Sequence, residues 1–487
     1  MQHIIKKQVI ELAIDKQLDA FAIQQQVSDW YWHHFLSLLE VEFNKLSAPG
    51  EVLYIDRLEI DLGLISQQQL QTTQLHKIAL PVISKKVQEY ISSEQASTTD
   101  RKRSGARHAF TQWLQYMQKG YLPWNVLQIT TEWLTLVLEE LAGDHHSVTL
   151  LRNEIQKNKT VCTRIAQQHT TAWLVQLMTV LTASNQRHLP DAIVEIERLF
   201  TALQNNTGVQ IATPSRKQLW QQVLQLVAAR DGQFTTTRLA IIIVQEQITI
   251  THLPALEKIN RQQANEYPQL QPVLTAVAEQ HQQASGQQET ITGQPENINS
   301  KNSTEDQQQA GDIKRQLLKE EGGLFVQHAG LVLIHPFLRS LFSLCGLLEG
   351  KTFSNAINQQ KAIYLLHYIA TGKVTADEHE LVIPKVLCSY PIEETVDTDI
   401  ILSIQELQEA DDLMRAAIAQ WSILKSTSPE GLQQGFLQRN GKLHTRNEQL
   451  YVEVEKNTID VLLDHLPWNL SLIRLPWSGE IIRVEWR

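Results

Sequence analysis

GGLFVQHAGLVLIHPFLRSLFSLCGLLEG, Gly322 to Gly350, carries large apolar side chains on nearly every face of a helix drawn through it. Such a segment is either buried deep in protein or meets a membrane. Burial is the reading adopted, because no uninterrupted apolar run in the chain approaches the roughly 20 residues that span a bilayer. Gln327, His328, His335 and Arg339 interrupt the segment, and His335-Pro336 marks a helix start or kink. Downstream, Ala362 to Gly372 (AIYLLHYIATG) reads as a helix closed by a glycine C-cap, and Ile404 to Leu424 as another. Strand patterns follow at Leu450–Val454, Ile459–Leu463, Leu470–Leu475 and Ile481–Trp486, punctuated by Pro467-Trp468 and Pro476-Trp477. Residues 316–487 are therefore expected to form a C-terminal helical domain with terminal strands.

Working back from this segment, 282–315 is rich in Gln, Ser and Asn and nearly devoid of large apolar side chains. Burial there cannot offset the entropy of ordering, so a flexible linker is expected. Residues 107–281 read as a helical bundle or array. Amphipathic segments at Ile129–Leu141, Ile165–Leu181, Ile193–Leu203 and Leu219–Val227 are separated by breakers, the first being GYLPW at Gly120 to Trp124. Trp113, Trp133 and Trp173 recur beside Leu at spacings typical of core positions. Residues 92–106 are polar, include Arg101-Lys102-Arg103 and read as a solvated linker. Residues 1–91 read as a small α+β domain. Ile10, Leu12 and Ile14 alternate with polar or small residues, a helical pattern runs from Ala20 to Leu46, and Pro49-Gly50 breaks it. Leu58, Ile60, Leu62 and Leu64 then alternate again. The fold class expected is mainly α with small α+β ends.

The chain has 487 residues, enough for about three domains at ~100–200 residues each. A formal charge of -10 argues against a protein that coats nucleic acid, and no nucleic-acid partner is expected. The three cysteines, Cys162, Cys345 and Cys388, give neither a disulfide framework nor metal-ligand spacing. The opening MQHIIKKQVIELAID has no long apolar h-region, so no secretory signal is expected and synthesis is placed in the cytoplasm. Gln makes up roughly 11% of the residues, well above ordinary usage. A surface of that kind suits both an ordinary bundle exterior and packing within a larger assembly.

No short motif of nucleotide binding, nucleophilic catalysis or zinc proteolysis is present. Glu378-His379-Glu380 lacks a second His one helical turn on, and the adjacent pairs His33-His34 and His145-His146 diverge on helices. Asp397 and Asp399 read as a solvated acidic turn, and Glu59 and Asp61 as the outward face of a strand. No catalytic residue, metal or cofactor is expected.

Several segments, taken in order, resemble a known family. PGEVLYIDRLEIDLG (Pro49 to Gly63) and GYLPW (Gly120 to Trp124) are similar to its N-terminal part. HAGLVLIHPFLRSLFSLCGLL (His328 to Leu348), AIYLLHYIATG, LVIPKVLCSYP (Leu381 to Pro391) and the closing LPWNLSLIRLPWSGEIIRVEW are similar to its C-terminal part. The family is that of the tape measure proteins of contractile injection systems, phage-tail-like particles with a rigid inner tube, a sheath, a baseplate and a spike. The resemblance implies a non-enzymatic assembly protein that sets inner-tube length from within the nascent tube. Its partners would be inner-tube proteins, baseplate or hub-spike proteins and further copies of itself, with transient membrane contact on firing. The alternative is a soluble adaptor or chaperone that leaves before the particle is complete. Trp124, His335, Pro336, Phe337, Trp468 and Trp477 lie in the matching segments and are the candidate partner contacts, each with core packing as its competing role.

Overall fold

The computed structural model describes residues 5, 8–45, 58–70, 72–93, 98–126, 128–207, 213–229, 234–247, 252–263, 266–275 and 323–486. The chain divides into two compact units, 1–111 with 125–143 and 112–124 with 144–487. The Gln-rich linker expected at 282–315 and the Pro49-Gly50 break lie outside the described residues, as do the side chains of Arg101, Lys102 and Arg103.

In the first unit Asp19 starts the opening helix. Its carboxylate accepts from the Phe21 and Ala22 N–H groups at 3.0 and 3.2 Å, which satisfies two orphan donors of α1 (Ala20–Trp30). A π turn (Tyr31–Phe35) leads into α2 (Leu36–Phe43). Ile23, Val27, Trp30, Phe35, Leu38 and Leu39 gather against Leu75, Ala79 and Ile83, a stripe of period four on α3 (Thr72–Ser93). The strands expected at 10–14 and 58–64 do not form. Sheet pairing among the described residues is confined to the C-terminal region. The alternation at Leu58, Ile60 and Leu62 is nevertheless real, all three being half-buried while Glu59 and Asp61 are exposed, but Leu64 departs from it and is fully exposed. Ile60 and Leu62 lie against the helical core, so the period-two pattern reports which side chains turn inward, and without a partner strand it makes no sheet.

The polar stretch expected as a linker is already helical from Thr98, where α4 (Thr98–Lys119) begins. Arg, Lys and Ala are good helix formers, and a helix nucleated on the buried Ala109, Phe110 and Trp113 propagates back through them. The first unit also contains α5 (Thr131–Gly143).

The second unit contains a run of short helices, each started by a side-chain cap. Asp144 caps α6 (His145–Lys157), Asn158 caps α7 (Lys159–Gln168) and Thr170 caps α8 (Thr171–Thr182). The single segment expected over 165–181 is therefore two helices. The Thr170 hydroxyl accepts from the Trp173 N–H at 3.4 Å and restarts the helix after the extended His169. Then follow α9 (Leu189–Thr207), α10 (Arg216–Ala229), α11 (Thr236–Gln247) and α12 (Leu253–Gln263), with α10 packed on α6 and α7. Trp113 and Trp173 are core residues as their spacing suggests, with ring centroids 5.5 Å apart and His169 4.0 Å from Trp173.

The C-terminal part of this unit is built around the apolar segment that opened the analysis of the sequence. After β1 (Leu324–Val326), residues Ala329–Ile334 form a 3-10 turn in which every side chain is buried, and α13 (His335–Leu344) starts with Pro336 in its first turn. Gly330 is required by contact: a Cβ there would stand 1.8 Å from the carbonyl oxygen of Phe436. A small hairpin of β2 (Leu348–Glu349) and β3 (Thr352–Phe353) leads to α14 (Ala356–Thr371), whose residues Ala362–Leu366 are all buried. Gly372, at φ +73, closes α14 and donates to the Tyr368 carbonyl at 2.7 Å, the C-cap its sequence announces. Next come α15 (Val382–Leu387), α16 (Ile404–Gln420) and the short α17 (Pro429–Leu432).

The remaining strands are β4 (Gly441–Arg446), β5 (Gln449–Val454), β6 (Leu472–Arg474) and β7 (Ile481–Glu485). The sheet order is β1-β4-β5-β7-β6, antiparallel except for the β5–β7 pair. The strand expected at 459–463 is instead a 3-10 helix (Thr458–His465). Asn457 and Asp460 form a reciprocal capping box at its start, and this local bonding outcompetes the apolar alternation.

Candidate functional site

The GYLPW turn leads to a heavily bonded polar cluster in the second unit. Gly120 ends α4 at φ +78, its N–H donating to the Tyr116 carbonyl at 2.8 Å. A Cβ here would lie 3.0 Å from Arg164 Nη2 and 3.2 Å from both Glu378 Oε1 and the Ile392 carbonyl oxygen. Glycine is thus demanded twice, by the left-handed backbone and by what packs on it.

Arg164 is delivered by α7, on the same face as the buried Val161, Cys162 and Ile165, and is itself fully buried. Its Nε donates to Glu378 Oε2 at 2.9 Å, and its Nη2 to Glu378 Oε1 at 3.2 Å and to the Glu393 carbonyl at 2.6 Å. Nη1 donates to the Met117 carbonyl. Glu378, 1% exposed, opens a 3-10 turn (Glu378–Leu381) and receives a second cation from α15. Lys385 Nζ, also fully buried, donates to Glu378 Oε1 at 2.8 Å and to the Ile392 and Glu394 carbonyls at 3.0 and 2.7 Å. One carboxylate thus lies between two cations, and four backbone carbonyls take up four of the five remaining N–H donors. Burial pushes the Lys385 amine below its ordinary range and the Glu378 carboxylate draws it part of the way back. Burial and the nearby Glu378 hold the Tyr116 hydroxyl well above the usual tyrosine range. The arrangement is a clamp: it ties the helices carrying Met117 and Arg164 to the segment 378–394. Lys217 on α10 adds a second tie, pairing with Thr398 and Asp399, so the acidic turn at Asp399 is an ion-pair partner.

The residues proposed from sequence as partner contacts fall into three places. His335 opens α13, half-buried, with Nδ1 3.0 Å from the Val332 carbonyl, and burial pushes its imidazole down. Pro336 beside it is exposed. Phe337 stands edge-on to Trp468 at 5.1 Å, and Trp468 Nε1 donates to the Leu333 carbonyl at 2.9 Å. Trp477 packs on Phe342 and Phe353 at 5.2 and 5.4 Å, and its Nε1 donates to the Leu387 carbonyl at 2.8 Å. Trp124 is half-buried in the turn after Gly120, away from this aromatic cluster in sequence. Trp477→Phe keeps most of the ring contact but strands the Leu387 carbonyl. It is expected to cost about 2 kcal/mol, read as a lower denaturant midpoint at unchanged slope. A residue used only for partner contact would leave that midpoint where it is.

The sequence points to Glu378 only through an incomplete zinc motif and gives no sign of Arg164 or Lys385, because the partners are 214 and 7 residues apart and only the fold brings them together. Among the described residues two groups offer metal-ligating atoms within 4.8 Å of one another: His328, His367 and Glu380, and His444, Glu453 and Glu485. No helix among the described residues is long and apolar enough to cross a membrane.

A family model described as contractile injection system tape measure protein matches residues 2–486. The chain belongs to this family. Comparison with curated proteins and with solved structures returns no match. In this tape measure protein several of the segments that carry the family resemblance also build the core of the second unit. Gly120 lies against the clamp, Gly330 against Phe436, Lys385 within the clamp and Trp477 over Phe342.

Proposed function

We propose that this tape measure protein sets inner-tube length from within the nascent tube and does so as an assembly protein, without catalysing a reaction. The observation that carries this reading is the extent of the family match, residues 2–486, which takes in both compact units and not a single module. Binding would come from many weak contacts summed along the tube by effective concentration. Inner-tube and hub-spike proteins would be the partners, with self-association between copies. The chain would pass from the cytoplasm of the producing cell into the assembled particle. Membrane contact on firing would require the C-terminal core to open, because Ala329–Ile334 are buried within it.

A specific observation favours a second reading, an adaptor or chaperone that leaves before completion. The longest described helices have 22 residues, about 33 Å each, so a ruler of this sequence must open or be joined by other copies to span a long tube. Quantitative mass spectrometry of purified uncontracted particles separates the two. A few copies per particle are expected; complete absence of the chain would leave the chaperone reading in its place.

A further inference from the structure

We propose that His328, His367 and Glu380 form a binding site for a single divalent transition-metal ion, zinc being the best match to the donor set. The three residues come from separate elements of the second unit. His328 precedes the buried 3-10 turn Ala329–Ile334, His367 lies on the inner face of α14, and Glu380 lies in the turn Glu378–Leu381. One ligand atom from each lies within 4.8 Å of the others.

The protonation pattern of His367 makes the case. Its Nδ1 is 3.3 Å from the Lys373 carbonyl, which can only accept. The nearby Thr371 hydroxyl, 3.4 Å away, already donates to the His367 carbonyl at 2.8 Å, so it too is left to accept. In the neutral imidazole Nδ1 therefore carries the proton, and Nε2 turns its lone pair inward. That lone pair sits 3.3 Å from Glu380 Oε2, outside hydrogen-bond alignment. Two acceptors facing each other, one fully buried and the other part-exposed, repel unless a cation stands between them. A separation of 3.3 Å is also about the ligand–ligand edge of a tetrahedral ion with bonds of ~2.0–2.1 Å.

His328 supplies the third ligand. It is 7% exposed, neither ring nitrogen has a hydrogen-bond partner, and its ring lies 5.7 Å from that of His367. A buried imidazole with both nitrogens unbonded is costly, and ligation of one removes part of that cost. The remaining pattern is that of a metal-binding histidine, whose other ring nitrogen donates to a backbone carbonyl. Two histidines and one carboxylate suit zinc. By contrast, in the His444 group Glu453 is exposed, Glu485 is half-buried and Arg446 already lies 3.4 Å from Glu485, so that group carries no proposal.

The test uses the full-length chain, stripped with a chelator and titrated with Zn2+ alone against a chromophoric competitor. Metal content is read by mass spectrometry, and coordination by the visible spectrum after Co2+ replacement. One ion per chain is expected, with a low-coordinate cobalt spectrum. Glu380→Gln, at a part-exposed position that tolerates the change in charge, is expected to weaken binding by at least about 100-fold, beyond the loss of an outer-shell partner. His328→Ala is expected to do the same, with circular dichroism checking that each variant folds. His444→Gln is expected to bind as the parent does. No stoichiometric zinc, equal affinity in the Glu380 variant, or loss in the His444 variant would each overturn the site, leaving an ordinary buried imidazole–carboxylate contact.

Discussion

Glu378→Ala is expected to destabilise the second unit by about 3–5 kcal/mol, among the larger effects a single substitution produces. The size follows from what remains. Arg164 and Lys385 are both fully buried, and removing the carboxylate leaves two cations facing each other with only carbonyl oxygens for company. Replacing all three by apolar residues of similar volume removes the charges together with their desolvation cost. That triple variant is expected to be far closer to the parent than Glu378→Ala. A difference of less than about 1 kcal/mol between Glu378→Ala and the parent would show that the clamp does not hold the unit together.

The pH dependence of that variant has a definite sign. The Lys385 amine is held below its ordinary range in the folded chain, so between the folded and unfolded values the unfolded chain binds more protons, and stability rises with pH. Removing Glu378 takes away the group that draws the amine back up. The window over which stability rises with pH therefore widens downward in Glu378→Ala. Alkaline solution is expected to recover part of the loss, through Lys385 alone, because Arg164 keeps its charge.

Much of the C-terminal fold could be read from local chemistry. Gly372 announces its own cap, His335-Pro336 its helix start, and the unbroken apolar run at 329–334 its burial, because each signal acts within a few residues. The N-terminal strands could not be read correctly, because the alternation at Leu58, Ile60 and Leu62 records inward and outward faces, whereas a strand also needs a neighbour. At 459–463 the apolar alternation reads as a strand, and the capping box that Asn457 and Asp460 form in the fold overrides it. The polar chemistry was the least legible. Glu378-His379-Glu380 stood out in sequence as a failed zinc motif. In the fold its two carboxylates part company, Glu378 toward Arg164 and Lys385 and Glu380 toward His367. The partners arrive from α7, α14 and α15, and nothing in the spacing of one segment foretells that meeting.

The claim that this family member measures the inner tube makes the second large prediction, and the segment 282–315 is where to test it. That segment lies in sequence between Arg164 and Glu378, so inserts there add to the span of a chain whose clamp has opened inside the tube. Each inserted residue adds about 1.5 Å if helical and up to ~3.3–3.6 Å if extended. Thirty extra residues are therefore expected to lengthen the tube by roughly 45–100 Å for a chain that spans it once. Electron microscopy of uncontracted particles, made with a graded series of inserts and deletions between 282 and 315, reads the outcome directly. The account predicts tube length that rises and falls in step with the number of residues; normal tubes of constant length across the series would contradict it.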